Sequence, residues 1–211
     1  IPHKETALAW VDEADERARR IGALNTIWRE NGKLHATSTD GQGFMANVLQ
    51  TLPAFDVTVG AVTILGAGGS TRSLTDELLR RGVSRINIWN RTASRAQELA
   101  QHFGTMVHAI SSPELPQHLA HTNLLINTTA AGMNGDEALY VPWENLHSKA
   151  VVADIVYTPL ITTFLQAAEK RGHAIVPGLG MLLHQAVVGF EKWFGVRPEV
   201  TQELYDLIAK D

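Results

Sequence analysis

Ala61-Val62-Thr63-Ile64-Leu65-Gly66-Ala67-Gly68-Gly69-Ser70-Thr71-Arg72-Ser73-Leu74 decides the fold. Five small and aliphatic residues, two of them β-branched aliphatics, read as a buried strand, and a glycine run follows at once. Leu74, Leu78 and Leu79 then recur at helical spacing up to Gly82, which predicts a helix over 70–81. A glycine run between a strand and a helix lets the backbone approach a pyrophosphate, which then sits on the helix N-terminus. Gly66, Gly68 and Gly69 are placed for that task, although Thr71 stands where G-x-G-x-x-G has its third glycine. A plain tight βα turn would use the same glycines, so the loop does not decide by itself.

Downstream, strands and helices continue to alternate. Strands are predicted at 85–89, 106–110, 123–127, 151–156 and 174–176, and a helix at 93–103. This is the β-α-β texture of an α/β protein with a Rossmann-type, doubly wound parallel sheet. Two helices, about 181–194 and 198–209, close the chain. Upstream of Val57 the texture differs. Glu5 to Arg20 is rich in Ala, Glu and Arg and reads as one or two helices ending near Gly22. Two short extended runs, 25–29 and 33–38, flank Glu30-Asn31-Gly32, a strong hairpin signal because Asn and Gly both tolerate positive φ. A helix over 43–52 stops at Pro53. The division that follows is a small substrate-binding α/β unit over 1–46, joined by the closing helices over 186–211, and a nucleotide-binding domain over 47–185.

Composition excludes several classes. The chain has 211 residues, 45% hydrophobic and 19% charged, the balance of an ordinary globular protein. With no cysteine there is no disulfide framework, thiolate metal site or cysteine nucleophile, which fits a cytoplasmic setting. No run reaches the roughly 18 apolar residues that span a bilayer, and no signal peptide is evident. A net charge of −4 argues against a nucleic-acid partner. His118 and His121 have a spacing that could hold a metal, but no third ligand stands near them, and a solvated surface suits them better. Leu182, Val187, Val188, Phe190 and Trp193 form an apolar stripe expected to pack in the core or between domains.

The second strand's tip carries the next decision. A cofactor with a free ribose 2′-hydroxyl usually meets Asp or Glu there. Here the tip reads Asn90-Arg91-Thr92, then Ser94-Arg95. Two guanidiniums and a hydroxyl bind a 2′-phosphate by charge-assisted hydrogen bonds, and basic groups at a helix N-terminus oppose its dipole unless an anion is near. NADP is the expected cofactor. Lys4, at the head of a helix, and Asp40, before another, could exchange a proton with a hydroxyl or carbonyl if a cleft brings them together. Each alone is as readily a solvated lysine and a helix cap.

Taken in order, Ile1-Pro2-His3-Lys4, Gly22-Ala23-Leu24-Asn25-Thr26, Thr39-Asp40-Gly41-Gln42-Gly43, the glycine loop, Asn90-Arg91-Thr92, Ile126-Asn127-Thr128-Thr129-Ala130-Ala131-Gly132-Met133, Asp154-Ile155-Val156-Tyr157-Thr158-Pro159-Leu160 and Gly178-Leu179-Gly180-Met181-Leu182-Leu183-His184-Gln185 resemble the shikimate dehydrogenase family. The resemblance covers nearly the whole chain. It implies an oxidoreductase of aromatic amino acid (chorismate) biosynthesis that reduces 3-dehydroshikimate to shikimate with NADPH, as a monomer or homodimer. It implies Lys4 and Asp40 as the catalytic pair, and Asn25, Tyr157 and Gln185 as substrate-binding residues. Gly66, Ala67, Gly68, Gly69, Ser70, Asn90, Arg91, Thr92, Arg95, Thr128, Ile155, Gly178 and Met181 would line the NADP site, and no metal is implied.

Three departures qualify the resemblance. The family has a leading strand–helix section with two substrate-binding serines, so the first unit is expected to be an incomplete substrate domain. Ser38 stands where Asn is usual, and Ser73 where a small apolar residue is usual. The alternatives are a quinate/shikimate dehydrogenase using NAD, and a nucleotide-binding module without turnover.

Overall fold

The computed structural model describes residues 3–133 and 139–210, so Ile1 and Pro2 of the first motif lie outside the described residues. The leading unit runs from a 3₁₀ turn (Thr6–Trp10) through β1 (Glu13–Ala14), α1 (Glu16–Ile21), β2 (Thr26–Glu30) and β3 (Lys33–Thr37) into α2 (Asp40–Thr51). Asn31 and Gly32 take φ of 50° and 80°, the two left-handed residues of a tight hairpin between β2 and β3. Asp15 caps α1 by accepting from the Ala18 amide at 2.7 Å, and Gly22 ends it at φ 72°. The helical expectation for 5–20 is corrected in the middle. Glu13–Ala14 forms a strand parallel to β3, because the β3 edge offers ladder bonds that outweigh helix propensity over a few residues.

Beyond it lie β4 (Ala61–Leu65), α3 (Gly69–Arg80), β5 (Ile86–Trp89), α4 (Ala93–Phe103), β6 (Val107–Ile110), α5 (Leu115–Leu119), β7 (Thr122–Asn127), β8 (Val151–Asp154), α6 (Thr163–Glu169), β9 (Ile175–Val176), α7 (Leu179–Phe194) and α8 (Gln202–Ile208). The six strands are all parallel, in the order β6-β5-β4-β7-β8-β9. Chain order reverses between β4 and β7, which opens a crevice at their carboxyl ends. One core layer, including Phe44, Met45, Ile64, Leu74 and Ile88, lies against α2, α3 and α4. The other, including Leu125, Val152, Phe164 and Leu165, lies against α5 and α6. Among the described residues no helix is long and apolar enough to cross a membrane.

α2 and α7 cross closely because small residues meet there. A Cβ on Gly43 would lie 2.6 Å from the Gln185 amide nitrogen, and one on Gly180 would lie 1.9 Å from Asn47 Oδ1. Gly43→Ala therefore forces two backbones apart, and is expected to cost about 1–3 kcal/mol in stability, read as a lower Tm. An unchanged Tm would contradict the close crossing. The sequence boundaries at 46/47 and 185/186 fall within these two helices, which pack on each other while α7 also meets β2 and α2 also meets α3.

At the same crossing His184 Nε2 donates to Gln50 Oε1 at 2.7 Å, and burial pushes the imidazole below its usual value of 6.5. The folded state thus binds this proton less readily than the unfolded chain. The contribution is complete above the ordinary histidine range and falls away as pH drops below it. Stability should decline between about pH 7 and pH 5, and His184→Gln should flatten that decline in a urea titration. An equally steep decline in the variant would contradict this.

The apolar stripe of α7 is only half buried, which corrects the expectation for its outer end. Val187 is buried, whereas Phe190 is 42% and Trp193 56% exposed. At this end Trp193 donates from Nε1 to the Ile27 carbonyl of β2 at 2.9 Å.

Candidate active site

The site assembles where the leading unit meets the crevice of the parallel sheet. The Leu24 amide donates to the Lys4 carbonyl at 2.8 Å, which fastens the Lys4 segment beside the loop entering β2. From there the Lys4 stem crosses the start of α3, and a Cβ on Gly69 would lie 3.3 Å from Lys4 Cβ. Lys4 Nζ forms an ion pair with Asp40 Oδ2, with the lysine side chain 25% and the aspartate 5% exposed. The ammonium so placed is held on one side by the carboxylate while its partly exposed side borders both cavities.

Asp40 opens α2, three residues earlier than the helix expected at 43, because Gly41 and Gly43 are tolerated in its first turn where neighbours crowd in. Its second carboxylate oxygen accepts from Asn25 Nδ2 at 2.8 Å. The same amide lies 2.8 Å from Gln185 Oε1 and 2.9 Å from Thr39 Oγ1. Asn25 therefore joins β2, α2 and α7 at one point. Thr39, which the sequence shows only as part of the motif over 39–43, donates from its hydroxyl to the Gln185 carbonyl at 2.8 Å.

Two adjoining cavities share Lys4, Ser70, Ile155 and Tyr157. The larger, about 460 Å³, is also lined by Gly68, Gly69, Thr128 and Met133. The smaller, about 210 Å³, is also lined by Asn25, Asp40, Gly178, Met181 and Gln185. Lys4 thus stands at the mouth between a glycine-floored space and a polar one.

The glycine loop is held by a chain of hydroxyls. The Gly68 amide donates to Thr71 Oγ1 at 3.2 Å, Thr71 Oγ1 lies 2.8 Å from Thr128 Oγ1, and Thr128 Oγ1 donates to the Leu65 carbonyl at 2.9 Å. Gly66 requires its missing side chain: φ is +120°, and a Cβ would lie 2.4 Å from Thr128 Oγ1. Thr71, fully buried, stands in the third glycine's place and ties the loop to Thr128 through its hydroxyl. At the carboxyl ends of β7 and β8, Asn127 Nδ2 donates to Asp154 Oδ1 at 3.0 Å, and Thr162 Oγ1 donates to Asp154 Oδ2 at 2.7 Å. Burial pushes the Asp154 carboxyl up, against hydrogen bonds from Thr162, Asn127 and the Val156 amide that pull it down. Asn127 also accepts from the Thr129 amide at 3.0 Å, so this pair shapes the loop beside Thr128 and the turn carrying Ile155. Their signal in the sequence was a polar residue closing each of two apolar strand runs.

The residues fit a dinucleotide on three observations. Gly68 has φ −99°, which needs no glycine, and a Cβ there would meet nothing within 4 Å, so the space above the loop is open. The first-turn amides of α3 face that space. Arg91 and Arg95 are exposed at the carboxyl end of β5 and the start of α4, and among the described residues neither has a carboxylate within 4.0 Å. Asn90 shapes that tip by donating from Nδ2 to the Thr92 carbonyl at 2.8 Å. These four residues, Asn90, Arg91, Thr92 and Arg95, line neither cavity. Two ion pairs tie α3 to α1: Arg20 Nε and Nη2 to Asp76 at 2.5 and 3.1 Å, and Arg17 Nη1 to Glu77 at 2.8 Å.

A glycine loop at the switch point of a six-stranded parallel sheet, with a crevice above it, marks a Rossmann-type dinucleotide-binding protein. Comparison with known proteins narrows this class. Residues 49–155 match the family model of shikimate/quinate 5-dehydrogenase, and residues 178–202 match that of the shikimate 5′-dehydrogenase C-terminal domain. The shikimate dehydrogenase (NADP(+)) of Rhizobium meliloti strain 1021 is 50% identical over 211 residues, all of this chain and 73% of that protein. Among solved structures, shikimate 5-dehydrogenase of Thermus thermophilus with NADP(H) and shikimate has a TM-score of 0.85 at 33% identity, over 100% of this chain and 76% of that one. Quinate dehydrogenase of Corynebacterium glutamicum with NAD has a TM-score of 0.89 at 27% identity, over 100% and 76%. The chain belongs to the shikimate/quinate 5-dehydrogenase family.

Proposed function

We propose that this chain catalyses the reversible, NADPH-dependent reduction of 3-dehydroshikimate to shikimate, a step toward chorismate and the aromatic amino acids. The observation that carries this reading is the Lys4–Asp40 ion pair at the mouth shared by the two cavities. When bound, NADPH supplies the hydride that reduces the ring ketone. Gly66, Ala67, Gly68, Gly69 and Ser70 would hold its pyrophosphate, and Asn90, Arg91, Thr92 and Arg95 its 2′-phosphate side. Thr128, Ile155, Gly178 and Met181 would border the reactive end.

Lys4 hydrogen-bonds the substrate carbonyl oxygen and donates a proton to it as negative charge develops there. Asp40 orients the ammonium through their ion pair, and in the reverse direction Lys4 takes the hydroxyl proton back. A polyhydroxy acid suits a pocket walled by Asn25, Gln185 and Tyr157, whose amides and phenol can pair with ring hydroxyls. Steady-state rates with shikimate and quinate, each against NADP and NAD, test the assignment. The highest kcat/KM is expected for shikimate with NADP, and a preference for quinate with NAD would replace this reading with that of the quinate branch of the family.

A further inference from the structure

We propose that Ser70 and Ser73, one turn apart on α3, position the Lys4–Asp40 pair, so that the helix bearing the glycine loop also holds the proton donor in place. The inference rests on the reading of Lys4 and Asp40 given above. α2 begins at Asp40, and the first amides of a helix have no partner within it. Thr39, which flanks the helix, makes no cap, since its hydroxyl is turned to α7. The Gly41 amide is satisfied from another helix instead: it donates to Ser73 Oγ at 3.0 Å. Ser73 Oγ also lies 3.1 Å from Ser38 Oγ, with Ser38 2% and Ser73 1% exposed.

Residues on both sides of Asp40 are thus pinned to one hydroxyl of α3. Gly41 permits this approach, because a Cβ there would lie 2.3 Å from the Ser73 carbonyl oxygen. Nearer the helix N-terminus, Ser70 Oγ lies 3.4 Å from Lys4 Nζ and 3.4 Å from Asp40 Oδ2. Residues three apart share a helix face, so both serines address α2 from the same side. Ser70 can donate to the carboxylate while its lone pairs face the ammonium, which closes a triangle with the ion pair. Ser38 and Ser73, the two substitutions noted as departures from the family, face each other across this contact.

The test uses Ser70→Ala, Ser73→Ala and Ser38→Ala in the full chain. Ser73→Ala should lower kcat for shikimate oxidation roughly tenfold, with the shikimate KM and the NADP Kd within about twofold of wild type, and Ser70→Ala should lower kcat roughly tenfold at saturating NADP, whatever its effect on the cofactor it also borders. Ser38→Ala should lose less, because Gly41 keeps its acceptor. A second readout does not depend on turnover. Hydrogen exchange of the Gly41 amide should be slow in the wild type and in Ser38→Ala, and about tenfold faster in Ser73→Ala, while Val48 within α2 is unaffected. An unchanged kcat at saturating NADP in the Ser70 and Ser73 variants, or in Ser73→Ala an equal loss of NADP affinity, overturns the positioning role. Unchanged Gly41 exchange in Ser73→Ala overturns the cap. If Ser73→Ala does not fold, Ser70→Ala carries the kinetic test, since its side chain borders the cleft. If the wild-type chain oxidises no shikimate, the proposed function fails, and Gly41 exchange still decides the serine contact.

Discussion

Lys4→Ala should lower turnover of shikimate by about 10²- to 10⁴-fold, the range for removing a positioned general acid. Reduction of a ketone leaves charge on oxygen, and Lys4 is the cation at the mouth between the cavities. The loss should fall on kcat, because the ammonium's interaction strengthens as that charge grows. Affinity for NADP should stay within about twofold, since the lysine belongs to the leading unit and its ammonium is paired with Asp40. Titration of the cofactor by fluorescence, beside steady-state kinetics, separates the two effects. An equal fall in NADP affinity and turnover would mean that Lys4 belongs to the cofactor site.

Arg91→Ala should weaken NADP by roughly 10- to 100-fold while leaving NAD within about threefold. The magnitude follows from one hydrogen bond between charged groups, worth about 1.5–3 kcal/mol. Arg91 is exposed and has no carboxylate partner among the described residues, so its removal disturbs no internal ion pair. The comparison of the two cofactors cancels general damage to the fold. Equal weakening of both would mean that the guanidinium does not meet the 2′-phosphate, and would shift attention to Arg95.

The parallel sheet was legible because its strands are short apolar runs separated by helical periodicity, and the glycine loop marks where β4 turns into α3. The hairpin was legible from Asn31-Gly32 for a local reason, the positive φ of both residues. What failed was non-local. The strand at Glu13–Ala14 exists only because β3 lies beside it, and nothing in the composition of 5–20 announces that edge. The sequence places the start of α2 at Gly43, three residues late, and gives no reason for the glycines at 41 and 43. They are there to let α3 and α7 approach. The exposed Phe190 and Trp193 show the converse limit, since periodicity states which face is apolar and not how far the neighbouring sheet extends.

The site divides in the same way. Lys4, Asp40, Asn25 and Gln185 stand out as ordered motifs, and the structure brings them within hydrogen-bond reach of one another. The groups that hold them in place were not legible. Thr39 reads only as part of the motif over 39–43, Asn127 and Asp154 read as parts of strand runs, and Ser38 and Ser73 read as departures from the family. Each acquires its role from a partner more than ten residues away, apart from the local bonds that Asn127 and Asp154 make to their own loops.

The most direct measurement of the account is the conversion of 3-dehydroshikimate by this chain with NADPH, followed as loss of NADPH absorbance and checked by identifying the product. The account predicts one shikimate formed for each NADPH oxidised, and loss of that turnover in Lys4→Ala while NADP still binds. A folded chain that binds NADP and leaves 3-dehydroshikimate unchanged would contradict it.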